Sequence, residues 1–338
     1  MAFQTGTSSS IENLMSQLST FLQANGWTEN QFTAETATIG ILQVSKNSMF
    51  ASYYWKEATE GGVMGVGANT SNDDNVEPWL STGDDGQMYN NPNGSPTTIN
   101  TRRAVNQFGG PHVAYWFFEN DSNPAYFHVV VEVDTNRFRH FGFGEIEKIG
   151  DWAGGEYCYG HNWNQGATAI DQPYNASHGY GLDAALQNQS AWAGTVKVQG
   201  LQQAIDLGAT WMITAGMHAN PAGLDRAGNN RVNGMGGSRQ GPVANAFSFY
   251  PVSQLSAFKP LMPEPVFYIT STGSPDTVIF LGTTPDRRMV NMQNIAPGEI
   301  LTVAGEQWYC FPWVVKKRDL DDTEESWNAG TAYRREDA

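Results

Sequence analysis

At 338 residues the chain exceeds one average domain, so one large or two medium domains with a sizeable core are expected. Only 16% of the residues are charged against 40% hydrophobic, so the surface must be built largely from Asn, Gln, Ser, Thr and Gly. The formal net charge of −15 is repelled by phosphate backbones, which argues against sequence-independent nucleic-acid binding.

Cys158 and Cys310 are the two cysteines, too few for a disulfide framework and without the paired spacing of a zinc site. They are expected to be reduced, buried thiols. No apolar run approaches the roughly 20 residues that span a bilayer, so no membrane partner is expected. The opening "MAFQTGTSSS" has neither the basic nor the apolar region of a signal peptide. A soluble protein, folded where it is made, is the expectation.

Along the chain, Ile11, Leu14, Met15, Leu18, Phe21 and Leu22 recur at helical spacing and predict an amphipathic helix of about four turns. Ser9 followed by Glu12 predicts a capping box, and Asn25-Gly26 predicts the stop. The period then changes: "TATIGILQVSKNSMFASYYW" predicts two strands around Lys46-Asn47. Residues 60–110 have the Gly-, Asn- and Asp-rich composition of a long loop. "HVAYWFFEN", "AYFHVVVEVD" and "RFRHFGFGEI" predict an antiparallel meander, with connectors rich in turn formers. The middle, 161–245, is poor in charge, with one weak helix over "TVKVQGLQQAIDLG" and an irregular stretch "AGLDRAGNNRVNGMGGSRQGP". From Pro265 a second β block follows, in which "TGSP", "TTPD" and "NIAPG" separate strands. The acidic tail lacks apolar periodicity and predicts a solvated or partner-dependent arm.

The expected fold is α+β, mostly antiparallel β, with an N-terminal helix and long irregular loops. Its divisions are a helix over 1–26, a β-rich block over 27–160, a loop-rich region over 161–264, a β block over 265–316 and an acidic arm over 317–338.

Candidate chemistry is thin. His112, His128, His140, His161, His178 and His218 form no H-x-x-x-H or H-E-x-x-H pattern. Cys158 and His161 have C-x-x-H spacing, which holds zinc only with two further ligands. Neither a G-x-S-x-G elbow nor a Walker-type loop occurs, and "GMGGSRQG" lacks the strand and helix that an anion cradle needs. Glu145, Glu147, Asp151 and Glu156 lie among rings such as Trp152 and Tyr157 and could form a glycosidase pair, whose separation of about 5–9.5 Å is a three-dimensional matter. No catalytic, cofactor-binding or metal-binding residue is assigned, and no cofactor is expected.

The stretch "RHFGFGEIEKIGDWAGGEYCYG" (139–160) is the densest in rings and glycines. Strand alternation puts Phe138, His140 and Gly142 on one face and Arg139, Phe141 and Phe143 on the other. Rings on both faces predict burial on both sides, against a helix, another sheet or another subunit. Glycines at 142, 144, 154, 155 and 160 allow close backbone approach. The physical reading is packing, not catalysis.

"HFGFGEIEKIGDWAGGEYCYG" resembles a segment of virion structural proteins of tailed bacteriophages and prophages. "GTSSSIENLMSQLSTFLQANGW" is similar to their N-terminal helix, and "LGTTPDRRMVNMQNIAPGEILTVAGEQWYCFPW" to their C-terminal region. The resemblance implies a tail, baseplate or neck component of a virion, made in the host cytoplasm, with copies of itself and other virion proteins as partners. It carries no active site over. A receptor- or glycan-binding module at the tail tip, with a host-surface glycan as partner, is the alternative, and a glycan-cleaving enzyme a third.

Overall fold

Rings and β-branched residues alternating along short segments favour a pleated, half- or fully buried surface, and strands account for nearly all the regular structure. The computed structural model describes residues 1–36, 39–56, 63–69, 104–105, 108–160, 194–199, 211–213, 261–270, 277–292, 294–312 and 329–335. In chain order these form β1 (Ala2–Ser8), α1 (Ile11–Ala24), β2 (Thr28–Thr36), β3 (Ile39–Lys46), β4 (Met49–Lys56), β5 (Val63–Asn69) and β6 (Ala104–Val105). Next come β7 (His112–Asn120), β8 (Tyr126–Asp134), β9 (Arg137–Glu145), β10 (Glu147–Lys148), β11 (Ala153–Gly160), β12 (Gly194–Gln199) and β13 (Trp211–Ile213). Last are β14 (Met262–Thr270), β15 (Thr277–Asn291), β16 (Glu299–Val303), β17 (Glu306–Pro312) and β18 (Ala329–Arg335). The fold is mainly antiparallel β with one helix among the described residues, as expected, and that helix is not long and apolar enough to cross a membrane.

The strands make three sheets. The central one has the order β1-β7-β8-β9-β11-β12-β13; a second runs β2-β3-β4-β5-β6; the third runs β10-β15-β18-β17-β16, with β14 also on β15. The predicted meander is β7-β8-β9, and the predicted hairpin is β3-β4, turning at Asn47 with a positive φ of 55°.

Directly opposed residues of an antiparallel pair share a face, so the register divides the central sheet cleanly. Tyr115, Phe117, Phe127, Val129, Val131, Phe141 and Phe143 face one core, shared with Leu14, Leu18 and Leu22 of α1 and Leu42, Tyr53 and Trp55 of the second sheet. Phe118, Val130 and Phe138 face the opposite core, shared with Phe311 and Tyr333 of the third sheet. From Tyr126 to Val131 and from Phe138 to Gly144 every residue is buried. The burial of β9 on both sides, expected from its rings, is thus observed, with a sheet on each face. Close approach is real at Gly144, where a Cβ would meet Tyr126 Cβ at 2.3 Å and its Cα at 2.5 Å.

The helix starts one residue later than the capping-box pattern predicts. β1 runs through Ser8, so Ser10 takes the extended N-cap conformation, and its Oγ accepts from Asn13 N at 3.0 Å. Ser9 instead donates its backbone N–H to Asn13 Oδ1, and Glu12 closes no box with it. The stop is as expected: Gly26 has φ +79°, and Trp27 N and Gly26 N donate back to Leu22 O and Gln23 O. Lys46 then donates to Asn25 O at 2.9 Å and pairs with buried Glu119 at 3.5 Å, while Trp27 Nε1 donates to the same carboxylate at 2.8 Å. Burial pushes the Glu119 carboxyl upward, and Trp27 and Lys46 counter that push.

Other expectations need correction. β1 and β2 form where no strand was predicted, and β5 and β6 lie inside the stretch assigned to a long loop, 60–110; of its other residues only 108–110 are described, with Phe108 buried. The first five residues of the helix predicted at 195–208 belong to β12, in keeping with the β-branched Thr195, Val196 and Val198; the rest lies outside the described residues, as does "AGLDRAGNNRVNGMGGSRQGP". "TTPD" does not end a strand. β15 runs through it, with Asp286 at φ +50°: β14 pairs with β15 up to Thr283 and again from Arg288, and its register shift between Pro263 and Pro265 passes over 284–287. In the acidic arm expected over 317–338, residues 329–335 are a strand in the interior of the third sheet.

Leu18 is fully buried among α1, the second sheet and the central sheet. Leu18→Ala should lower the unfolding free energy by about 2–5 kcal/mol, whereas Ser16→Ala on the exposed face should change it by less than about 0.5 kcal/mol, as measured by urea titration.

Candidate functional site: a polar layer between two sheets

Between the central and third sheets lies the largest concentration of buried polar side chains among the described residues. Sheet alternation points Tyr126 and His128 (β8), His140 (β9) and Tyr157 (β11) to the same face, toward β15 and β18. Across from them, Arg287 and Tyr333 are direct partners in the β15–β18 ladder. His128, His140, Arg287 and Tyr333 all have no exposed surface.

Tyr333 is the hub. Its ring centroid lies 5.8 Å from that of His140 in a stacked arrangement and 5.5 Å from that of His128, and the Arg287 guanidinium carbon is 5.5 Å from it. The hydroxyl sits 2.7 Å from His140 Nδ1, and His140 Nε2 is 3.0 Å from Pro312 O. A carbonyl only accepts, so Nε2 carries the proton and Nδ1 accepts from Tyr333. His128 Nε2 likewise donates to Pro285 O at 3.1 Å. Both histidines of this layer, His128 and His140, are therefore bonded to proline carbonyls of the third sheet.

The electrostatics favour a neutral His128. Burial, and then the nearby Arg287 cation, hold its pKa well below the ordinary imidazole value, against the pull of the Pro285 carbonyl. At the rim, Tyr126 donates to Asp286 Oδ2 at 2.5 Å, and Arg334 bridges Asp286 and Glu306, both at 3.3 Å. Burial, and then the Asp286 carboxylate, raise the Tyr126 phenol and keep it protonated.

Two other constellations have catalytic form. Ser8 Oγ lies 2.5 Å from His112 Nδ1, and His112 Nε2 donates to Phe108 O at 2.9 Å, an imidazole oriented to accept a hydroxyl proton. Ser8 is 5% exposed and His112 3%, so neither is presented to a substrate, and the pair ties the end of β1 to the start of β7. Sequence reasoning missed this pair because Ser8 and His112 are 104 positions apart.

The second is acidic. Glu145 and Glu156 are direct ladder partners on β9 and β11, which places their Cβ atoms about 4.5–5.5 Å apart on one face. Lys148 sits with them, 3.3 Å from Glu145 and with its ammonium 5.6 Å from the Trp152 ring centroid. Glu147 turns elsewhere and accepts from Thr283 Oγ1 at 2.9 Å, while Asp151 is exposed. Of the four carboxylates singled out in the sequence, two are thus brought together and two are not.

Cys310 is a buried thiol whose Sγ donates to Trp308 O at 3.7 Å. His161, His178, His218 and "GMGGSRQG" lie outside the described residues, as does the side chain of Cys158. No group of three or more His, Cys, Asp or Glu is placed to hold a metal ion among the described residues.

Two predictions follow from the layer. Tyr333→Phe removes the donor to His140 Nδ1 and should cost about 1–3 kcal/mol in a denaturant titration. A histidine held below its unfolded pKa takes up a proton on unfolding, so the stability His128 contributes is complete above about pH 6.5. It falls as pH drops below that, by up to about 1.4 kcal/mol per pH unit. Unfolding free energies measured from pH 7.5 to 5.5 should therefore decline less steeply for His128→Gln than for the parent.

Neither the models of known protein families nor the curated proteins yield a match to this chain.

Proposed function

We propose that the chain is a structural component of a tailed-phage virion, in the tail, baseplate or neck, acting by assembly with copies of itself and with other virion proteins. One observation carries the reading most: the three segments that resemble virion proteins coincide with the frame of the fold. The first is the end of β1 with α1, the second spans β9 to β11 at the doubly buried sheet, and the third spans β15 to β17. The residues that carry the resemblance are packing residues: Phe141, Phe143, Tyr157, Trp308 and Phe311 are all buried. A protein whose distinctive residues build its frame is suited to holding neighbours in place.

Edges supply the surface for that work. β16 borders the third sheet and is paired only with β17 among the described residues, and its Ile300 and Val303 are 39% and 41% exposed. An open strand edge with exposed apolar side chains is a template for pairing with another chain.

The Glu145–Glu156 pair beside Trp152 favours a second reading, a glycan bound or cleaved at that surface, since close carboxylates near an aromatic platform are what glycosidases use. Mass spectrometry of purified particles should find the chain at fixed stoichiometry. Glu145→Gln and Glu156→Gln should leave infectivity within a few-fold. A soluble preparation that cleaves a polysaccharide and loses that activity with either change would overturn the structural reading, and selective binding on a glycan array would move it toward recognition.

A further inference from the structure

We infer that the slot occupied by β18 accepts the C-terminal strand of a second copy of this chain, so that copies are joined by exchange of residues 329–335. The inference gives the proposed self-assembly a physical route, yet it rests on the strand alone, whatever particle the chain belongs to.

The first ground is chain length. β17 and β18 are antiparallel neighbours, and two residues suffice to join such a pair. The preceding pair shows this economy: β16 and β17 turn through Ala304 and Gly305, both at positive φ, with Val303 opposite Glu306. Between β17 and β18 stand sixteen residues, 313–328. Fully extended they reach about 50 Å, far more than pairing within one chain requires and enough to reach the same slot in a neighbour. Asp319, Asp321, Asp322, Glu324 and Glu325 crowd this connection, and carboxylates at that density resist burial.

The second ground is position. β18 is not an edge strand: it pairs with β15 from Arg287↔Tyr333 to Asn291↔Ala329 and with β17 from Gln307↔Arg335 to Pro312↔Gly330. Without it, β17 and β16 lose their link to β15. The slot is specific to this strand. A Cβ at Gly330 would meet Phe311 O at 2.4 Å and Met292 Cγ at 2.5 Å. Tyr333 fits among His128, His140 and Arg287. Charge matches too, since Arg334 meets Asp286 and Glu306. All these contacts are the same whether the strand comes from its own chain or from another, which is why exchange of an identical element is a low-cost route to assembly.

Cys310 and Ala332 are direct partners across β17 and β18, within the Cα separation that a disulfide tolerates. A tagged chain carrying Ala332→Cys and Cys310→Ser is co-expressed with an untagged chain that keeps Cys310, with Cys158→Ser in both, and the mixture is mildly oxidised. A reducible tagged–untagged pair on a non-reducing gel is expected. Its absence, while one chain carrying Ala332→Cys and Cys310 together closes only an internal crosslink, overturns the inference. As a second measurement, replacing residues 314–328 by Asn-Gly preserves the register and forbids exchange. The shortened chain should be a monomer by light scattering at concentrations where the parent is an oligomer. Equal mass for the two also overturns the inference.

Discussion

With β8 and β9 buried on both faces, neither strand can carry an ordinary solvated side, and every polar group on them must find a partner inside the protein. Most of their positions are filled by rings and valines, which need none. On the face toward the third sheet the polar exceptions include Tyr126, which donates to Asp286 Oδ2, and His128 and His140, each of which donates to a backbone carbonyl there. The imidazoles thus do two things at once. They fill space between aromatic neighbours, and they fix the register at which the third sheet docks, because a shift of one residue would leave buried nitrogens unbonded at about 1–3 kcal/mol each.

The other face shows the contrasting solution. Toward α1 and the second sheet the core is mainly apolar, with Arg139 buried on that face and donating to Phe138 O. Its polar link to the helix stands at the margin, where Lys46, Trp27 and Asn25 converge on Glu119 and the helix end. Removing the cation there would strand a buried carboxylate, whereas the helix face itself is adaptable hydrophobic packing. One side of the central sheet is therefore held mainly by apolar area, the other by area and directional bonds together. The second kind discriminates more sharply between correct and incorrect partners. That suits the side built from the distant end of the chain: His140 and Tyr333 are 193 positions apart. Contacts at that separation carry a larger loop-closure cost than those of the meander β7-β8-β9, whose connections are short.

Elements whose burial is written in local periodicity were legible in the sequence. The helix was visible because six apolar residues share one face, and the meander because its strands are long, ring-rich and separated by turn formers. Burial of β9 on both sides followed from rings at successive positions. What was not legible depends on distant partners. β1 is "AFQTGTS", polar and weakly alternating, and is a strand because β7 pairs with it from Ala2↔Glu119 to Ser8↔His112. β18 contains Gly330, Ala332 and two arginines, with little apolar pattern, and is set by its neighbours on either side. "TTPD" has turn composition, and Asp286 does take a positive φ, yet pairing of Thr283 with β14 and of Arg287 onward with β18 carries the strand across it. The site followed the same division. His128 and His140 could be placed on a buried face from alternation alone, but their partners Pro285, Pro312 and Tyr333 come from another sheet.

The acidic balance of the chain constrains how copies of it could come together. At −15 each copy repels the next at distances beyond the Debye length of about 8–10 Å only weakly, and more strongly inside it. Long-range attraction between like copies is therefore absent, and association must rest on contacts made at touching distance. Backbone pairing along a strand edge and insertion of an aromatic side chain into a polar-lined slot are such contacts, since both are short-ranged and neither needs an opposite net charge. Where β18 ends, Arg334 and Arg335 supply local positive charge within that acidic background, against Asp286, Glu306 and the ring of Phe3. Those pairings give β18 a local charge match to its slot that the acidic chain as a whole does not offer a like copy.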